Sequence, residues 1–225
     1  MKRNKRQLYV MIFVFAMIAL AYTCRMLDMY DIGNGYPGNV RAALYIVLLA
    51  LWGYSIDRRI IQKPVLHCLR LTDALMLLWL ILRTLKYEVV TDLTVARYLW
   101  YLYYLPMLFI PLLGVYIAMS LGKSEEYRLS GKTQLLTIIP ALLFLCVITN
   151  DLHQKVFTFK SGIPGNPGNG PYYHNVVYFF CLAWMVGCMI FTVVHIFKNS
   201  RVSNVGKRRV MPFVFCCVTI LYGVL

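Results

Sequence analysis

Arg97, Tyr101, Tyr104, Leu108 and Pro111 follow one another at intervals of four, three, four and three. On a helix that progression keeps to a single face. The face carries a permanent guanidinium charge and two phenol hydroxyls on rigid apolar rings. Trp100 lies beside it, and Asn150 and His153 stand at the end of the next apolar run. Histidine titrates near neutral pH. Arg97, Trp100, Tyr101, Tyr104, Asn150 and His153 together would suit a small amphipathic or anionic ligand. Pro106 and Pro111, lower on the same segment, each remove a backbone donor and bend a helix. They are read either as a fixed kink or as a hinge that moves with occupancy.

A second account of the rings stays open. Aromatic residues collect at the membrane interface as a belt of amphipathic anchors. The segment RYLWYLYYLPMLFIPLLGVYIAMSLGK places Arg97, Tyr98, Trp100, Tyr101, Tyr103 and Tyr104 at one end. A belt explains its first turn. Tyr104 lies two turns, about 10 Å, below Arg97, which favours the lining of an outward-facing cavity.

Other chemistry finds no support. There is no P-loop, HExxH or GxSxG motif. His67, His153, His174 and His195 are scattered without metal-ligand spacing. The seven cysteines form no CxxC pair and lie in or beside apolar runs, as small hydrophobes do. Neither a metal nor a cofactor is expected, and the chain itself reads as non-enzymatic.

The elements that must position these residues follow from composition. The chain has 225 residues, 60% hydrophobic and 14% charged, with net charge +14. Soluble domains hold roughly 45–50% apolar and about 25% charged residues. The excess positive charge therefore points to anionic headgroups at the cytoplasmic membrane surface, and not to nucleic acid.

The fold class expected is all-α, a polytopic transmembrane helix bundle. Reading between charges gives seven spans: Leu8–Cys24, Val40–Ile56, Leu71–Val90, Tyr98–Leu121, Gln134–Asn150, Val176–Phe197 and Val210–Leu225. Arg83 and Lys86 interrupt the third, within reach of the headgroups. Leu8–Cys24 follows the basic MKRNKR but is longer than a signal-peptide core and lacks a small-residue cleavage site. Alternate loops divide the Lys and Arg residues 16 to 7, which places the N-terminus in the cytoplasm. Asp57 and Asp73, both beside basic residues, are read as fixing helix ends. The external loop Ser161–Asn175 is dense in Gly and Pro and reads as irregular. Ala183 and Gly187 form a small-xxx-small pair in the sixth span.

From about Val40 onward the sequence resembles the N-terminal seven-helix sensor region of bacterial histidine kinases. The resemblance rests on three pieces. They are the basic turn IDRRIIQKP, the proline-centred run YLYYLPMLFIPLLGVYIAMSLGK, and IIPALLFLCVITNDLHQKVF. The last contains the family's TN..H signature at Thr149, Asn150 and His153. Residues 1–39 then form an extra N-terminal helix with its external loop, and 40–225 the sensor bundle, truncated in its last spans.

The resemblance implies a multi-pass sensor in the bacterial plasma membrane. It would recognise an unidentified small ligand and form a homodimer through a C-terminal module. The kinase reading expects the natural chain to continue through an eighth crossing, since seven spans from an internal N-terminus end outside. The alternative is a small polytopic transporter or membrane-complex subunit for a neutral or anionic solute.

Overall fold

The computed structural model describes residues 2–30, 36–59, 62–120, 123–124, 127–159 and 172–199. In chain order the elements are α1 Lys2–Met29, α2 Tyr36–Arg59, α3 Lys63–Thr84 and a π turn Leu85–Val89. Next come α4 Leu93–Leu102, α5 Tyr104–Ser120, α6 Gly131–Gln134, a 3-10 turn Leu135–Thr137 and α7 Ile138–Ile148. The order ends with α8 Asn150–His153, β1 Phe157–Phe159, β2 Tyr172–His174 and α9 Val176–Asn199.

Four helical stretches are long and apolar enough to cross a membrane: Lys63–Val89, Leu93–Ser120, Gly131–Ile148 and Val176–Ile196. They overlap the third to sixth expected spans, so the stretch interrupted by Arg83 and Lys86 is among them. Phe15–Leu27 and Val40–Ile56 are shorter apolar stretches, inside α1 and α2. Val210–Leu225 lies outside the described residues.

The helices pack in sequence: α1 on α2, α2 on α3, α3 on α5 and α5 on α9, with α7 against both α5 and α9. The fourth expected span is therefore the central one. It is 56% buried, against 11–22% for the other three. Leu108 and Ala118 are fully buried, as is Leu112 to within 1%. The outer helices leave broad apolar faces uncovered, as lipid-facing surfaces require.

Prolines set the breaks in regular structure. Pro106 has no N–H for the carbonyl of Leu102, and the helix divides there into α4 and α5. At the break Tyr103 N–H donates to Trp100 O at 3.1 Å, a tighter turn. Pro140 acts likewise on Leu136, and the preceding turn is 3-10. Pro111 stays inside α5. One turn before it, the Leu108 carbonyl accepts a 3.1 Å hydrogen bond from Trp184 Nε1 of α9.

Two expectations need correction. Helix α3 begins at Lys63, not near Leu71, so Asp73 lies well inside it and fixes no helix end. Asp73 instead faces Gly53 of α2, where a Cβ would run into its carboxylate. The loop expected to be external, Ser161–Asn175, is not wholly irregular, because Tyr172–His174 forms a strand. It pairs antiparallel with β1 in the register Phe157↔His174, Thr158↔Tyr173 and Phe159↔Tyr172. The Gly/Pro-rich residues 161–171 lie outside the described residues. A Cβ placed on Gly187 would meet nothing within 4 Å among the described residues.

Trp184→Phe removes the hydrogen bond to the proline-bearing turn while keeping the ring. It should cost about 1 kcal/mol, a fall of roughly 2–4 °C in thermal unfolding in detergent. Trp52→Phe on the exposed side of α2 should leave the transition in place.

Candidate functional site at the start of the central span

The site begins at the cap of α4. Asp92 accepts hydrogen bonds from the backbone N–H groups of Thr94 and Val95 at 2.8 and 2.9 Å. This satisfies two donors that a helix start leaves bare. The cap fixes where the α4 face points, and so where Arg97, Trp100, Tyr101 and Tyr104 lie.

The structure brings five of the six predicted residues together. Arg97 Nη2 pairs with Asp151 Oδ2 at 3.0 Å, the two side chains being 27% and 24% exposed. The Tyr101 hydroxyl donates to Asp151 Oδ1 at 2.7 Å. Asn150 Nδ2 donates to the Tyr101 oxygen at 3.2 Å and to Phe157 O at 2.9 Å. Asn150 Oδ1 accepts from the N–H groups of Val156 and Phe157 at 2.9 and 3.0 Å. Asn150, Tyr101, Val156 and Phe157 are all fully buried.

Trp100 and Tyr104 reach the same place through their rings. The Phe157 ring lies at the centre, 4.6 Å from Trp100, 5.6 Å from Tyr172 and 5.7 Å from Tyr104, centroid to centroid. Tyr178 and His174 stand 5.9 Å away on the hairpin side. Burial, then the phenols of Tyr178 and Tyr87, raises the pKa of Tyr172. Its hydroxyl therefore stays neutral at physiological pH. Of the ring-bearing residues at this end of α4, Tyr98 is 42% exposed, whereas Tyr101, Tyr103 and Tyr104 are buried.

His153 turns the other way. Lys155 N–H donates to its Nδ1 at 2.9 Å, so the neutral ring carries its proton on Nε2. Nε2 stands 3.1 Å from the carbonyl of Cys146, near the end of α7. Thr149 Oγ1 donates to Leu145 O at 2.7 Å. Thr149 Oγ1 thus adds a second bond to a carbonyl that already accepts the Thr149 N–H at 3.1 Å, and His153 reaches back to the last turn of α7. Gln154 closes the corner in the left-handed conformation (φ 50°), its N–H donating to Asn150 O at 2.7 Å. The three signature residues have separable work: two end the helix, and Asn150 holds the strand that follows.

Asp151 and Phe157 escaped sequence reasoning, although both lie in the quoted TNDLHQKVF. An acid at the outer end could have been matched to Arg97 on charge alone. Nothing local marks Phe157, whose role depends on the hairpin folding back over α4. Pro106 stands at the α4–α5 break and Pro111 within α5, both below the ring cluster.

Asn150→Ala would strand two backbone donors, a carbonyl and a phenol oxygen in a buried site. Each such group costs about 1–3 kcal/mol, so this variant should unfold well below the wild type in detergent. Gln154→Gly relieves a conformation that is unfavourable for residues with a Cβ. It should gain up to about 1 kcal/mol in the same assay.

No curated protein and no solved structure matches this chain. Residues 40–224, beginning within α2, match the family described as the N-terminal 7TM region of histidine kinase. The match covers the central span, the Thr149–Asn150–His153 corner and the hairpin, and the chain is a membrane protein that belongs to this family.

Proposed function

We propose that this chain is the membrane-embedded sensor portion of a signal-transducing histidine kinase in the bacterial plasma membrane. It would read a small ligand at the outer end of the central span. The observation that carries the reading is the Arg97–Asp151 ion pair. It is only partly buried, and it is joined through Tyr101 to the fully buried Asn150. A ligand carboxylate or phosphate would compete with Asp151 for Arg97, since a guanidinium pairs such groups in two-point fashion. Losing Asp151 would release the Tyr101 proton and loosen α4 from the corner of α8. The break at Pro106 and the bend at Pro111 would turn that release into a change of angle in the central helix.

The topology belongs to the same proposal. Seven spans with the N-terminus inside are supported by the 16 to 7 division of basic residues between alternate loops. A division into an extra helical segment, 1–39, and a sensor bundle from 40 is supported by the family match starting at residue 40. The anionic cytoplasmic leaflet, a C-terminal output module and a dimer formed through it are the partners this reading assigns.

Two measurements test it. On a cysteine-free background, an impermeant thiol reagent should label a cysteine at Gly165 in intact cells and spare one at Lys207. The reverse pattern would overturn the orientation. In the full-length receptor, Tyr104→Phe and Asp151→Asn should shift basal or ligand-evoked output by roughly fivefold or more, the usual scale of coupling between sites. Tyr98→Phe should leave output unchanged. Equal responses to Tyr98→Phe and Tyr104→Phe in inserted protein would reduce the rings to anchors.

A further inference from the structure

We propose that a groove over the central span holds one acyl chain of an anionic phospholipid, with the headgroup at Lys132. The groove has a volume of about 570 Å³. Helix α5 forms its floor, through residues that include Leu112 and Met119. One wall is the start of the Gly131–Ile148 stretch, with Lys132, and the other is α9, with Ala183, Gly187 and Phe191. The inference needs only that the chain is a membrane protein. It does not depend on the Arg97–Asp151 reading.

Position sets the chemistry of the occupant. Floor and walls all belong to stretches long and apolar enough to cross a membrane. The groove therefore opens sideways into hydrocarbon, and its occupant arrives from the bilayer. Leu112 is only 1% exposed, so the floor is sealed. The volume is that of a small-molecule pocket.

The two ends of the groove differ as the two ends of a phospholipid do. Lys132 is the second residue of its stretch and Met119 the last but one of α5, so both stand at one membrane surface. Leu112 lies seven residues, about 10 Å, deeper along α5. Lys132 is exposed, and no acidic residue is among the described residues that line the groove. Its ammonium can meet a headgroup phosphate. The choline of a zwitterionic lipid finds no countercharge there, which selects for an anionic one.

The deep end is shaped for a tail. Ala183 and Gly187 are one turn apart on α9 and leave a recess. A Cβ built on Gly187 meets nothing within 4 Å among the described residues. A wall without opposing atoms loses its dispersion contacts, and a flexible chain of methylenes can supply them. Trp184 also lines the groove. The site therefore shares the indole that ties α9 to the Pro111 bend.

The chain is placed in nanodiscs of phosphatidylcholine mixed with phosphatidylglycerol, and lipid retained after release is counted by native mass spectrometry. One phosphatidylglycerol per chain should be retained in preference to phosphatidylcholine. Lys132→Gln should cut that preference about fivefold, the scale of one lysine at an anionic surface. Gly187→Leu fills the recess and should abolish retention. Leucine favours helix over glycine, so this variant should unfold no lower than the wild type in detergent. No preferential retention by the wild type overturns the proposal, as does retention that survives Gly187→Leu. A preference unchanged by Lys132→Gln overturns it too, whatever the stability of the other variant. Gly187→Cys tests the competing occupants. An oxidative cross-link to Cys216 or Cys217 would give the groove to Val210–Leu225, and one between copies would give it to a second chain; either result overturns the lipid.

Discussion

Where α7 ends, the chain leaves helix and enters a strand within a few residues, and backbone groups there lose their regular partners. One side-chain amide replaces them. Asn150 accepts from two N–H groups of β1 and donates to a carbonyl of the same strand and to the Tyr101 oxygen. In a fully buried site, each of these groups would be expensive to leave bare. The geometry of the outer end depends on that amide. It sets Phe157 among the rings of Trp100, Tyr104 and Tyr172, and it brings the hairpin over the head of the central span. By occupying the Tyr101 oxygen, it also commits that hydroxyl's proton to Asp151, and Asp151 then pairs with Arg97.

The same demand for hydrogen bonds explains the irregular helices. A proline inside a span frees the carbonyl four residues earlier, and in hydrocarbon that carbonyl needs an answer. At Pro106 the chain responds by dividing into two helices, and at Pro140 by tightening into a 3-10 turn. Beside Pro111 the Trp184 indole is bonded to a neighbouring carbonyl, tying α9 to the bend. At Pro111 the neighbouring carbonyl is thus met by a side chain of another helix, and at Pro106 and Pro140 the backbone itself tightens.

The end of α3 runs directly into the helix that carries Arg97. The π turn carrying Lys86 and Tyr87 runs through Val90–Asp92 into α4, whose first turn is held by the Asp92 cap. Lys86 also lies 5.9 Å from the ring of Tyr103, at the α4–α5 break.

Composition and spacing by themselves determined the solvent, the helical class, the candidate spans and the face shared by Arg97, Tyr101 and Tyr104. These follow from local rules: hydrocarbon demands apolar runs with internal backbone bonds, and helical periodicity decides which residues look the same way. The TN..H motif was visible as a family mark, but its division of labour was not. Thr149 and His153 serve the helix behind them, and Asn150 serves the strand ahead. Only the tertiary structure decided that the tyrosine-rich span is central, that Asp151 meets Arg97, that Phe157 fills the ring cluster and that Lys86 turns inward. Each of those depends on which surfaces meet across long stretches of chain, or on one added residue in a helical turn. Hydropathy cannot register either, because a buried Tyr101 and an exposed Tyr98 have the same side chain and differ only in what lies opposite.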